Sequence, residues 1–202
     1  MIRKSVKTLI PKVLLVLFVI FLIWQSIQLI NNIIHRTDIN TFSSIIIQAI
    51  LVNLFITGIF LIGYAVPLNK ILPNSYYTSV ESQLFVSICA IMKIEMFRKI
   101  MRLTFWRPRH NKRHFFNGRK SGLNEFDKNT RISESGHTFA FMTIIAVSLY
   151  IGSEGNSYLA IIITFINIVF NLYPAILQRY HRLRLQKIYH FYDSSIKPKS
   201  AA

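Results

Sequence analysis

Four stretches of the chain stay apolar over enough consecutive residues to cross a bilayer, which takes about 17–25 residues of helix. They cover residues 13–30, 45–66, about 133–151 and 157–177. The first carries Trp24 and Gln25 inside it, and Pro67 closes the second. The third and fourth are joined by the short turn Gly152-Ser-Glu-Gly-Asn156, which makes them an antiparallel hairpin. Between the second and third spans the pattern changes. Residues 84–92 are apolar but too short to cross, which suits a re-entrant or shallow helix. Glu95, Arg98, Lys99 and Arg102 then follow at helical steps, with Met96, Phe97, Ile100, Met101 and Leu103 largely off that stripe. This predicts a basic amphipathic helix on the membrane surface, with Trp106 at head-group level and Pro108 ending it. The run 107–114 reads as a solvated loop facing head groups. The expected fold is an all-α integral membrane protein with four transmembrane helices plus an interfacial amphipathic helix. Three regions result: 1–66 with two transmembrane helices, 67–132 with the interfacial helix and a basic loop, and 133–202 with a transmembrane hairpin and a basic tail.

Charge orients these spans. Of 202 residues, 52% are hydrophobic, and the formal net charge is +16. Such a chain is too apolar for a soluble domain, and its positive charge belongs to loops on one side of a membrane. Arg3, Lys4, Lys7 and Lys12 precede the first span, the segment 98–131 is heavily basic, and Arg179, Arg182, Arg184 and Lys187 follow the fourth. The other two connections hold Arg36 with Asp38, and Glu154. Four spans with both termini cytoplasmic put every basic region on one side; a fifth span would not. The first apolar run exceeds a signal-peptide core and lacks a small-residue cleavage site, so it reads as an uncleaved anchor. No nucleic-acid module accompanies the charge, which leaves membrane lipids or phosphate-bearing ligands as its partners. Cys89 is the only cysteine, which excludes an internal disulfide and a multi-cysteine metal site.

Two polar constellations carry candidate chemistry. Glu134 and His137 are three apart at the start of the third span and share a helix face. The imidazole can act as a general base, and a carboxylate one turn away can hold its other nitrogen. The bland alternative is a glutamate favoured by the helix N-terminus beside an incidental histidine. In the fourth span Asn167, Asn171, Pro174, Gln178 and Arg182 recur at steps of three or four, forming a polar stripe. Pro174 predicts a kink that frees the carbonyl of Phe170. The stripe is either helix-packing glue or the lining of a site, and it continues into Arg179, Tyr180, His181, Arg182 and Arg184. The hairpin brings it beside Glu134 and His137. Those arginines are either a stop-transfer anchor or phosphate ligands. His110 and His114 lie among basic residues without a carboxylate, so no metal site is expected. There is no glycine-rich phosphate loop and no Gly-x-Ser-x-Gly elbow.

The pair Glu134-x-x-His137, followed by Asn171-x-x-Pro174-x-x-x-Gln178-Arg179-Tyr180-His181-Arg182-x-Arg184, resembles the glycosyl-4,4'-diaponeurosporenoate acyltransferase family. These are small bacterial membrane proteins that acylate the sugar of a carotenoid glycoside. Phe97-Arg-Lys99 with Trp106-Arg107 resembles the family's aromatic-rich segment. His181 and Arg107 stand where the family pattern has Asn and Lys, the acidic residue ahead of the aromatic segment is not matched, and the first two spans look like an addition. The resemblance implies a multi-pass protein of the bacterial cytoplasmic membrane that moves an acyl group from a thioester, acyl-CoA, to a hydroxyl of a lipid-linked sugar. It implies His137 as base, Glu134 as the residue orienting it, and Asn171, Gln178, Arg179, Tyr180, Arg182 and Arg184 as substrate-binding residues, with no bound cofactor. The alternative from another class is a non-catalytic subunit that anchors or scaffolds a membrane complex with other proteins.

Overall fold

The structure, a computed structural model, describes residues 2–35, 41–61, 68–78, 82–104 and 120–196. Arg36, Asp38, Pro67, Trp106, Pro108 and the basic run 107–114 lie outside the described residues. Among the described residues every regular element is helical. The order is α1 (Ile2–His35), α2 (Phe42–Leu61), a 3-10 turn (Leu68–Lys70), α3 (Asn74–Thr78), α4 (Gln83–Ile91), α5 (Ile94–Thr104), α6 (Lys120–Ser153) and α7 (Ser157–Asn167). A π-turn (Ile168–Leu172) then leads into α8 (Tyr173–Ile196). Four segments are long and apolar enough to cross a membrane: Ile10–His35, Phe42–Leu61, Ser121–Ser153 and Ser157–Gln186. The chain is an all-α, multi-pass membrane protein. Residues 84–91 fall in α4, with Met92 as its C-cap, and its 9 residues would rise only about 14 Å at 1.5 Å each, well short of a bilayer.

α6 begins at Lys120, ahead of the apolar window near 133, because its first turns are polar helix. Arg131 Nε bonds Asp127 Oδ2 at 2.8 Å across one turn, and Thr130 Oγ1 donates to the Asp127 carbonyl at 2.7 Å. A hydropathy window cannot register such a segment. At its other end α6 closes with a glycine in the left-handed region, Gly155 at φ +94°. The Asn156 N–H returns to the Ile151 carbonyl and the Gly155 N–H to the Gly152 carbonyl, both at 3.2 Å. This pair of bonds is the Schellman closure, and it makes the five-residue turn a stable hairpin.

The chain divides into two compact units. One comprises Met1–Ile71 and Ser135–Pro174. Its core is aliphatic: Ile33, Val52, Ile56, Ile144, Ile151 and Ile163 are all buried together. Small residues set the helix spacing. A Cβ on Gly136 would lie 2.9 Å from the Phe60 carbonyl oxygen, so α6 meets the backbone of α2 there. Polar side chains within the bundle bond one another or free carbonyls. Ser148 donates to the Ala160 carbonyl at 2.7 Å, and Asn53 donates to those of Ala49 (2.9 Å) and Ile163 (3.2 Å). The outward faces of α1 and α2 carry exposed Leu14, Leu17, Phe18, Phe21 and Leu54, as lipid contact requires.

The second unit comprises Leu72–Glu134 and Ala175–Ala202. It gathers the short helices α3 to α5 with the polar start of α6 and most of α8. α4 is capped by Ser82, whose hydroxyl accepts from the Phe85 N–H. α5 is strongly amphipathic, with Met96, Ile100 and Leu103 exposed on its apolar side. Lys93 joins the two helices at φ 49°, a left-handed conformation unusual for a residue with a side chain.

Two measurements test this fold. Gly136→Ala should lower stability by about 1–3 kcal/mol, because the added carbon meets backbone rather than a movable side chain. Gly152→Ala, whose carbon meets only the Ala160 methyl at 3.4 Å, should cost less. Thermal unfolding in detergent reads both. In a Cys89→Ala background, single cysteines at Ser121 and Ser153 should be labelled by an impermeant maleimide from opposite faces; labelling from one face would refute the span assigned to α6.

Candidate active site

The polar stripe of the fourth span is anchored in the first unit by a directional chain of hydrogen bonds. Pro174 has no N–H to offer and its ring crowds the carbonyl one turn back. The helix widens there into the π-turn Ile168–Leu172, in which the Tyr173 N–H reaches back to the Ile168 carbonyl. Such turns recur at functional positions. Asn167 and Asn171 border and occupy this turn, and both are fully buried.

The orientation of every group in the chain is fixed from one end. The Phe141 carbonyl can only accept, so Asn167 must present its Nδ2 to it, at 3.0 Å. Asn167 Oδ1 then accepts from Asn171 Nδ2 at 3.0 Å. The other Nδ2 hydrogen of Asn171 goes to Thr57 Oγ1 at 2.9 Å. Asn171 Oδ1 is left facing His137 Nδ1 at 3.1 Å. An oxygen acceptor demands a donor, so the neutral imidazole carries its hydrogen on Nδ1 and a bare lone pair on Nε2. His137 is only half-buried, unlike the asparagines behind it. This is the tautomer a general base needs.

Glu134 has different partners. In the second unit its carboxylate bonds Arg182 Nη2 and lies 3.9 Å from Arg179 Nη1. His137 Nδ1, in the first unit, faces Asn171. Arg182 is among the largest fully buried side chains, at 1% exposure, so the pair is held out of water. Aromatic rings complete the setting. The guanidinium of Arg182 lies 5.1 Å from the centroid of the Tyr77 ring, and that of Arg179 lies 4.5 Å from that of Tyr76. Arg179 Nη2 also donates to the Tyr76 carbonyl at 2.6 Å. Tyr180 donates its hydroxyl to Glu95 Oε1 at 2.7 Å, and Arg98 approaches the same oxygen at 3.5 Å. The Tyr180 hydroxyl first, and Arg98 second, hold the Glu95 carboxyl below the usual carboxylate range. His181 is buried edge-on to Phe126, Gln178 is half-buried, and Arg184 is exposed. Among the described residues no group of His, Cys, Asp and Glu is arranged to hold a metal ion.

Sequence reasoning missed Thr57, Tyr76, Tyr77 and the Tyr180–Glu95 bond. Thr57 had a signal: with Asn53 it forms a polar i, i+4 pair inside an apolar span. The tyrosines of the short α3 had none, because their role depends on which helices surround them.

Four membrane spans, a basic amphipathic helix and a histidine whose Nδ1 faces a buried asparagine oxygen define an integral membrane protein with a polar cluster in its first unit. The family model of glycosyl-4,4'-diaponeurosporenoate acyltransferase matches residues 73–190, more than half of the chain. The chain belongs to that acyltransferase family. The match includes Glu134, His137, Asn171 and Arg182, while α1 and α2 lie outside it. No curated protein and no solved structure shows significant similarity to the chain.

The Glu134–Arg182 pair makes a sharp prediction. Arg182→Met removes the nearer partner of a buried carboxylate, leaving Arg179 at 3.9 Å, and should cost about 3 kcal/mol. Glu134→Leu combined with Arg182→Met should recover most of that loss, because neither charge is then buried alone. Melting curves of the two variants in detergent check the sign.

Proposed function

We propose that the chain transfers a fatty acyl group from a thioester donor, acyl-CoA, to a hydroxyl of a lipid-linked sugar at the cytoplasmic leaflet. The observation that carries this reading is the directional chain ending on His137, which leaves Nε2 as a free base in a half-buried position. Membership in an acyltransferase family named for a glycosylated carotenoid supports a sugar hydroxyl as acceptor.

The chemistry balances with His137 as the one shuttle. Nε2 takes the proton of the acceptor hydroxyl as its oxygen attacks the thioester carbonyl carbon. The tetrahedral intermediate collapses, the C–S bond breaks, and the imidazolium returns its proton to the departing thiolate. The products are an ester and a free thiol. Asn171 holds the tautomer but has both amide hydrogens committed, so it cannot also serve the oxyanion. Arg184, exposed near the end of the last spanning helix, suits a donor phosphate, and its guanidinium can bind one bidentately. Arg179, Tyr180 and Arg182 are bound within the protein, and with Glu134 they tie the second unit together.

His137→Ala should lower turnover by about 10²–10⁴-fold, the contribution typical of a general base, without lowering the yield of folded protein. Lipid mass spectrometry of cells expressing either form provides the readout: a new glycolipid ester with the wild type, almost none with the variant. Equal ester in both would remove His137 from the mechanism. No ester in either would favour a scaffold subunit.

A further inference from the structure

The second unit contains a cavity of about 470 Å3 between α4, α5 and α8. That volume lies within the range of small-molecule sites, about 300–1,000 Å3. Its walls are apolar, formed by Val86, Ala90, Ile94 and Leu183. Its rim is cationic, carrying Lys93 and Lys99. The acid on the rim, Glu95, is already taken by Tyr180 and Arg98. Among the described residues neither lysine has an ion-pair partner, and both are exposed. Arg184 is close enough for its charge to act on Glu95, so it adds to the positive field at the mouth.

The surroundings narrow the ligand. Leu84 and Ile91 of α4 are 71% and 81% exposed, and Leu103 of α5 is 83% exposed. An amphipathic helix bearing such residues lies at the boundary between acyl chains and head groups. A molecule entering there can put a chain on the apolar walls and an anionic head on the lysines. A neutral lipid would leave both ammonium groups unanswered. Lys93 adds a second observation. Its left-handed backbone favours glycine, yet the residue there carries a cationic side chain at the mouth of the cavity.

We propose that this cavity seats the fatty chain of the acyl donor, a long-chain acyl thioester of coenzyme A, with its phosphates at Lys93 and Lys99. This rests on the acyl-transfer reading and deepens it by giving the donor a place between α4, α5 and α8. The shared chemistry is a fatty chain carrying a phosphate, which an anionic phospholipid also offers; the test separates the two.

Binding of radiolabelled palmitoyl-CoA and octanoyl-CoA to the full chain in phosphatidylcholine nanodiscs requires no turnover. Lys93→Gly with Lys99→Gln should weaken palmitoyl-CoA about tenfold, as expected for lost charge-assisted contacts. Glycine suits the backbone at position 93, so the fold is spared. Ala90→Phe fills the cavity from an exposed position and should erase most of the preference for the longer chain. Wild-type affinity and chain-length preference in both variants would overturn the proposal. Displacement of palmitoyl-CoA by an equal concentration of phosphatidylglycerol would overturn it in favour of a membrane lipid. Because binding is measured apart from catalysis, loss of the glycolipid ester with donor binding intact would count against the acyl-transfer reading alone.

Discussion

A backbone carbonyl has no choice of role, and in the first unit that constraint propagates. Phe141 accepts, which fixes the flip of Asn167, which fixes that of Asn171, which fixes the proton of His137. Each amide is buried among apolar helices, where an unmade hydrogen bond carries the full desolvation penalty of about 1–3 kcal/mol. Water cannot substitute for a missing partner at that depth. The same bonds that cross-link α2, α6 and the π-turn therefore also set the protonation pattern of the imidazole. The stripe is packing glue in the plain sense: its amides tie α2, α6 and the π-turn together.

The second unit solves a different problem. Its polar centre holds full charges, and it answers Arg182 with Glu134 and with the face of Tyr77. Arginine suits this setting because its delocalised charge is weakly hydrated and stacks on rings. One carboxylate faces two guanidinium groups, so the cluster keeps a positive excess. The arrangement gives Glu134 a structural reason for its place on α6.

Much of this was legible in the chain because lipid leaves few solutions for a long apolar run. The four spans, the hairpin and the amphipathic α5 follow from run length, turn length and charge spacing. The stripe through Asn167 and Asn171 was visible at helical spacing, and the kink at Pro174 takes the form of a π-turn. Partner choice was not visible. Glu134 and His137 share spacing on one helix, and a face three residues wide cannot reveal that one meets an arginine and the other an asparagine. Tyr77 could not be foreseen, since a short α3 has no period to read. The polar start of α6 escaped because apolarity was the measure, and helix there rests on Asp127 with Arg131 and Thr130.

The shallow burial of α1 has a consequence for how this protein can change over time. Only 11% of its spanning window is buried within the protein, against 28–33% for the other three. Lipid tails are as apolar as leucine, so the outward Leu14, Leu17 and Phe18 add little to its docking. What holds the helix is a narrow inward line through Leu22, Ser26 and Ile33, with Leu22 resting 3.0 Å from where a Cβ on Gly58 would stand. Most positions of the window 10–35 are therefore free to drift among large apolar residues, while a side chain at position 58 would meet the end of Leu22, which must turn aside for it.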